Sequence, residues 1–158
     1  MTARKADIET LKTLKGECLF LFEKLEEHGK ELRGHLKKMP QKAFVIASAY
    51  ALSSIYSCYE DIFKHIARVF ENRIENLSSW HSELLNRMLI AVPDIRPAVL
   101  SEKGGIILNE MRSFRHVFRN SYVFVIDADR ILSLVKKWNS VRGAIKKDIV
   151  HFLSKVGA

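Results

Sequence analysis

The 158 residues carry 26 Lys and Arg against 18 Asp and Glu, a formal net charge of +8 and a pI near 9.6. A hydrophobic fraction of 47% excludes a disordered chain and supplies the core of one domain spanning 1–158. Only 7 Gly and 3 Pro leave few turns, which argues against an all-β chain of short strands.

A first helix is expected from about Asp7 to about Leu36. Ile8, Leu11, Leu14, Cys18, Phe22, Leu25, Leu32 and Leu36 recur mostly at intervals of three and four. Pro40 closes it, with Lys37-Lys38 placed where cations favour a helix C-terminus. The second helix runs from near Gln41 to about Glu75. Its apolar stripe includes Phe44, Ala51, Ile55, Tyr59, Ile62, Ile66 and Val69. Ala47, Ser48, Ala49, Ala51, Ser53 and Ser54 are small enough to let a neighbour approach closely. Thirty-odd residues rise roughly 50 Å, the length of a bundle helix.

Ser78-Ser79-Trp80 reads as an N-cap region, with Glu83 in the first turn of a third helix that reaches about Val92. Pro93-Asp94-Ile95-Arg96-Pro97 then breaks the chain, and a fourth helix starts between Leu100 and Ile106. Gly104-Gly105 is not a phosphate loop, because neither a preceding strand nor a following Gly-Lys-Ser/Thr accompanies it. Val123-Phe124-Val125-Ile126 reads as an apolar turn. Asp127 caps the last helix, whose seam runs through Ile131, Val135, Trp138, Val141, Ile145, Ile149, Phe152 and Val156. The expected fold is all-α, an up-and-down bundle of about five helices. From Arg130 to Ala158 seven cations face one acid, Asp148, which concentrates most of the basic excess there.

Other classes fall away on inspection. Cys18 and Cys58 sit at apolar-periodic positions and read as buried thiols. The histidines His28, His35, His65, His81 and His151 are scattered without metal-ligand spacing, so neither a metal nor a cofactor is expected. The longest uncharged run, Ala43 to Tyr59, is rich in Ser and Tyr and short for a membrane span. The Met1–Lys5 start leads into an amphipathic pattern. A soluble, cytoplasmic protein without membrane partners is the expectation.

The fourth helix carries the chemistry. Arg112, Arg115 and Arg119 stand three and four apart, and Tyr122 continues the row. At about 100° per residue they fall within one narrow arc, with His116 beside it and Ile107, Met111, Phe114 and Phe118 on the adjoining arc. A solvated basic face fits this pattern. So does a phosphate-binding ridge, since the guanidinium fork donates two parallel hydrogen bonds to an oxyanion.

The run Phe114-Arg115-His116-Val117-Phe118-Arg119-Asn120-Ser121-Tyr122 resembles the signature of HEPN-domain proteins. It is most similar to the HepT-like toxins paired with nucleotidyltransferase antitoxins. Their pattern is an Arg, four to six residues, a His, and a Tyr two positions later. Arg115 and Tyr122 match, and Asn120 stands where the histidine is expected. Tyr59-Glu60, Trp80-His81 and the 93–101 segment resemble the same family.

The resemblance implies a metal-independent endoribonuclease in which the RNA 2′-hydroxyl attacks its own 3′-phosphate. Arg115, Asn120 and Tyr122 would be its catalytic set. Arg112, His116 and Arg119 would bind RNA phosphates. The motif helices of two protomers would face one another in a homodimer. A nucleotidyltransferase antitoxin would neutralise the chain by adding AMP to Tyr122. Asn120 departs from the pattern, because an amide does not titrate. An engineered histidine replacement and a natural variant both account for it. A non-catalytic HEPN protein that binds RNA or a nucleotidyltransferase is the alternative function. Residues five apart lie about 140° apart on an ideal helix, so Arg115 and Asn120 share a site only through a distorted helix or a second protomer. Glu60 and Tyr59 are expected to face the bundle, in a structural hydrogen bond or an arginine pair.

Overall fold

The computed structural model describes residues 6–35, 41–71, 80–120 and 127–158. Five helices account for nearly all of them: α1 (Ile8–His35), α2 (Gln41–Phe70), α3 (Trp80–Met88), α4 (Glu102–Asn120) and α5 (Ala128–Val156). Among the described residues the single β-type feature is an isolated bridge between Val92 and Arg96.

The all-α expectation therefore holds, and the helix limits follow from identifiable caps. Asp7 Oδ1 accepts the Thr10 amide at 2.7 Å and starts α1. Asp127 does the same for α5, accepting from the amides of Asp129 and Arg130. At the other end of α5, Gly157 adopts the left-handed region at φ 84°. That conformation lets the Ala158 amide reach the Leu153 carbonyl at 2.9 Å and close a Schellman turn. Helix α2 ends at Phe70, short of the expected Glu75, and the 78–79 cap and the 123–126 turn lie outside the described residues.

Helix α2 is the central element and touches each of the other four. His65 of α2 meets Glu17 of α1 at 2.9 Å, and Val69 lies by Asp7 and Thr10, so α1 and α2 run antiparallel. Lys137 of α5 grips Glu110 of α4 at 2.8 Å, and Asp148 accepts from the Ser101 hydroxyl at 2.6 Å, so α4 and α5 are antiparallel as well. Of the small residues of α2, Ser48, Ala49, Ala51 and Ser53 are buried, while Ala47 and Ser54 are only partly so. Leu14, Leu52, Ile55, Ile62, Ile66, Met88, Leu108, Ile145 and Ile149 fill the centre. Each fully buried aliphatic side chain contributes about 2 kcal/mol relative to exposure. Cys18 and Cys58 are free, buried thiols. Burial pushes the Cys18 thiol up to about 12 and the Cys58 thiol up to about 11, so both stay protonated and unreactive near neutral pH.

Helix α3 is shorter than its periodicity suggests, ending at Met88 instead of about Val92. The amides of Leu89 and Ile90 turn back on Asn86 and Arg87, three residues earlier, and tighten the last turn. Arg96 then captures the freed carbonyls: its guanidinium donates to Arg87 O at 2.9 Å and Ile90 O at 3.1 Å. The same side chain, fully buried, pairs with Glu71, which also accepts from Arg87 at 3.1 Å. A residue beyond the helix thus stops it.

Gly104 and Gly105 serve close packing. A Cβ on Gly105 would stand 2.4 Å from Leu89 Cδ2, and one on Gly104 would stand 3.0 Å from Ile145 Cγ1. Glycine here lets the first turn of α4 wedge between the α3 exit and α5.

Candidate functional site

Helix α4 is a regular α-helix through Asn120, so no local distortion swings Asn120 onto the Arg115 face. Its apolar arc forms much as expected: Met111 and Phe114 are buried, while Ile107 and Phe118 pack half-buried against the core. The Phe114 and Phe118 rings stack with centroids 5.8 Å apart.

The arginine row is not uniformly solvated. Arg119 is exposed and Arg112 is half-buried, its Nε donating to Asn109 at 3.1 Å. Arg115 turns inward, leaving only 13% of its side chain exposed. Its guanidinium lies over the Tyr56 ring, 5.9 Å from the centroid, and Nη1 meets Glu60 Oε2 at 3.5 Å. Arg115 Nε is buried and has no hydrogen-bond partner among the described residues. Tyr122 lies outside the described residues.

Glu60 explains this inward turn. Its carboxylate is 2% exposed, and a buried carboxylate persists only when cations and donors surround it. Three helices supply them. His81 of α3 brings Nδ1 to 2.6 Å from Oε2, Lys64 one turn along α2 stands 3.4 Å from Oε1, and Arg115 comes from α4. Lys64 also pairs with Asp61 at 3.0 Å and sits over the Trp80 ring at 4.7 Å. Trp80 in turn stacks on the His81 ring with centroids 4.0 Å apart. Tyr56 borders the cluster. Burial raises its hydroxyl above the ordinary phenol range, Glu60 adds to that, and Arg112 and Arg115 pull the other way. The expected pairing of Glu60 with an arginine is present. Tyr59 faces the bundle too, accepting from Trp138 Nε1 at 3.3 Å.

Asn120 belongs to a separate, exposed cluster. Its Nδ2 donates to the His116 carbonyl at 2.8 Å and lies 3.4 Å from the His116 ring. Of the residues expected to form the site, then, a single chain joins Arg115 to Glu60, which also holds His81, and places Asn120 with His116. The pairing of His81 with Glu60 has no local sequence signal, because the two residues lie twenty-one positions apart on different helices. Among the described residues, no cluster of three or more His, Cys, Asp or Glu side chains is arranged to hold a metal ion. None of the helices, over those residues, is long and apolar enough to cross a membrane.

Residues 47–156 match the family described as HepT-like protein, a span that takes in α3, α4, α5 and most of α2. The chain belongs to the HepT-like family. Comparison with curated proteins and with solved structures gives no match. In this HepT-like chain the family region includes Glu60, His81 and Arg115, whereas α1 precedes it.

Proposed function

We propose that this HepT-like chain is the toxin of a prokaryotic toxin–antitoxin pair, a metal-independent endoribonuclease neutralised by a nucleotidyltransferase. The observation that carries the reading is the position of Arg115. Its charge is aimed by a buried carboxylate, and its Nε has no partner among the described residues. Such a guanidinium suits the charge that builds on a phosphate during transesterification. Arg112, Arg119 and His116 extend the cationic surface along α4 toward the RNA backbone. The half-exposed Val117 on the same helix gives the C-terminal half of α4 an apolar contact for a second protomer, whose Asn120 and arginines would enter a shared cleft.

Neutralisation follows from charge. The Tyr122 oxygen attacks the α-phosphorus of ATP, pyrophosphate leaves, the phenol proton passes to solvent, and the AMP added is an anion that would repel RNA. Growth arrest on expression tests the reading. Arrest is expected from the wild-type chain and lost in Arg115→Ala. Co-expression of the nucleotidyltransferase partner relieves it, with AMP mass appearing on the Tyr122 peptide. A chain that leaves growth untouched in both forms, or a Tyr122 peptide without added mass, counts against it.

One observation favours a non-catalytic RNA-binding reading: Asn120 cannot titrate and is engaged with the His116 carbonyl. Under that reading Asn120→His gains no cleavage. Under ours it raises cleavage by adding a proton carrier at position 120, which gel analysis of RNA products separates.

A further inference from the structure

We infer that His81 is a catalytic acid–base residue of this chain, taking the proton of the RNA 2′-hydroxyl in place of the histidine absent at position 120. The inference rests on the ribonuclease reading above and names a residue outside the α4 motif.

The geometry is that of a carboxylate–histidine dyad. Glu60 Oε2 holds His81 Nδ1 at 2.6 Å, which fixes the ring and assigns the Nδ1 proton to the carboxylate side. In its neutral form such a ring keeps a lone pair on Nε2, the arrangement that makes histidine a base in hydrolase triads. Nε2 has no hydrogen-bond partner among the described residues, and 41% of the side chain is exposed, so it is open to a ligand. Glu60 itself is buried and cannot serve in that role directly. The groups facing the dyad are Lys64 on α2, Arg115 on α4 and the Trp80 ring on α3.

The second observation is the position of Arg115. Its Nη1 meets the same oxygen, Oε2, at 3.5 Å. The guanidinium and the Nδ1 edge of the imidazole therefore converge on one carboxylate oxygen, which puts an arginine and a histidine in one cluster. Asn120 and His116, the other candidates, share no contact with this carboxylate.

In the step proposed, the 2′-hydroxyl proton passes to His81 Nε2 and the 2′-oxygen bonds to phosphorus. The bond from phosphorus to the 5′-oxygen breaks. The leaving oxygen takes a proton from water, and the imidazolium returns one to solvent. The products are a 2′,3′-cyclic phosphate and a 5′-hydroxyl, with atoms and charge balanced.

Cleavage of a defined RNA by the full chain tests this, comparing wild type with Arg115→Ala, His81→Ala and His81→Gln. Losses of about 10²-fold or more are expected for both His81 variants. Glutamine can keep a hydrogen bond to Glu60 but does not titrate, so it carries the test should the alanine variant unfold by circular dichroism. Added imidazole should restore cleavage to His81→Ala and not to Arg115→Ala, a response that a merely structural histidine does not give. Wild-type rates in either His81 variant, or a folded His81→Ala that imidazole leaves silent, overturn the role of His81 while the ribonuclease reading stands. RNA left intact by the wild-type chain overturns both.

Discussion

Two buried carboxylates, Glu60 and Glu71, organise the charged interior of this chain, and they do different jobs. Glu71 has a structural set of partners: Arg96 is fully buried and Arg87 is tied to Glu83 at 2.6 Å as well. Burial disfavours the Arg87 cation, and its bonds to Glu83 and Glu71 more than offset this, raising its pKa further. Replacing Arg96 by Met keeps the volume but strips donors from Glu71 and from the carbonyls of Arg87, Ile90 and Pro97. Breaking a buried pair in this way costs about 3 kcal/mol or more. Thermal melting should show the midpoint of Arg96→Met lowered by roughly 10 °C, and an unchanged midpoint would refute the structural role. Glu60, in contrast, gathers partners that are partly open to solvent, His81 and Lys64 among them. Composition alone does not separate the two carboxylates. The difference lies in which helices bring cations to each.

At the scale of elements, apolar spacing placed the starts of α1 and α2 and both ends of α5 to within a residue or two, because caps such as Asp7 and Asp127 are local chemistry, whereas α2 stops at Phe70, short of the expected Glu75. The end of α3 was not legible for the opposite reason. Arg96 caps it from eight residues beyond Met88, and no local pattern announces that bond. The arginine row was legible as a row but not as a site, because the inward turn of Arg115 is set by a carboxylate on another helix. Gly104-Gly105 illustrates the same limit. Spacing excluded a phosphate loop, yet only the packing of α3 and α5 says why glycine is needed. Gly105→Val should therefore destabilise the chain by about 2 kcal/mol, since Leu89 must move to admit the side chain. Chemical denaturation measures this, and a variant as stable as the wild type would show that the α3 exit yields freely.

For the whole molecule, the bundle does more than bury apolar surface. It brings α2, α3 and α4 together at one carboxylate, and a cation aimed by that carboxylate is Arg115, within the region that matches the HepT-like family. The HepT-like match begins within α2 and so spans all three contributors. The net charge of +8 adds a long-range attraction for polyanions that salt weakens. The proposed function rests on Arg115 stabilising a phosphate whose own 2′-hydroxyl would be the nucleophile. End-group analysis of RNA incubated with the purified chain in excess chelator tests that most directly. The account predicts 2′,3′-cyclic phosphate and 5′-hydroxyl ends from the wild-type chain, falling by about 10²–10³-fold in Arg115→Ala. Intact RNA, or equal cleavage by both chains, would contradict it.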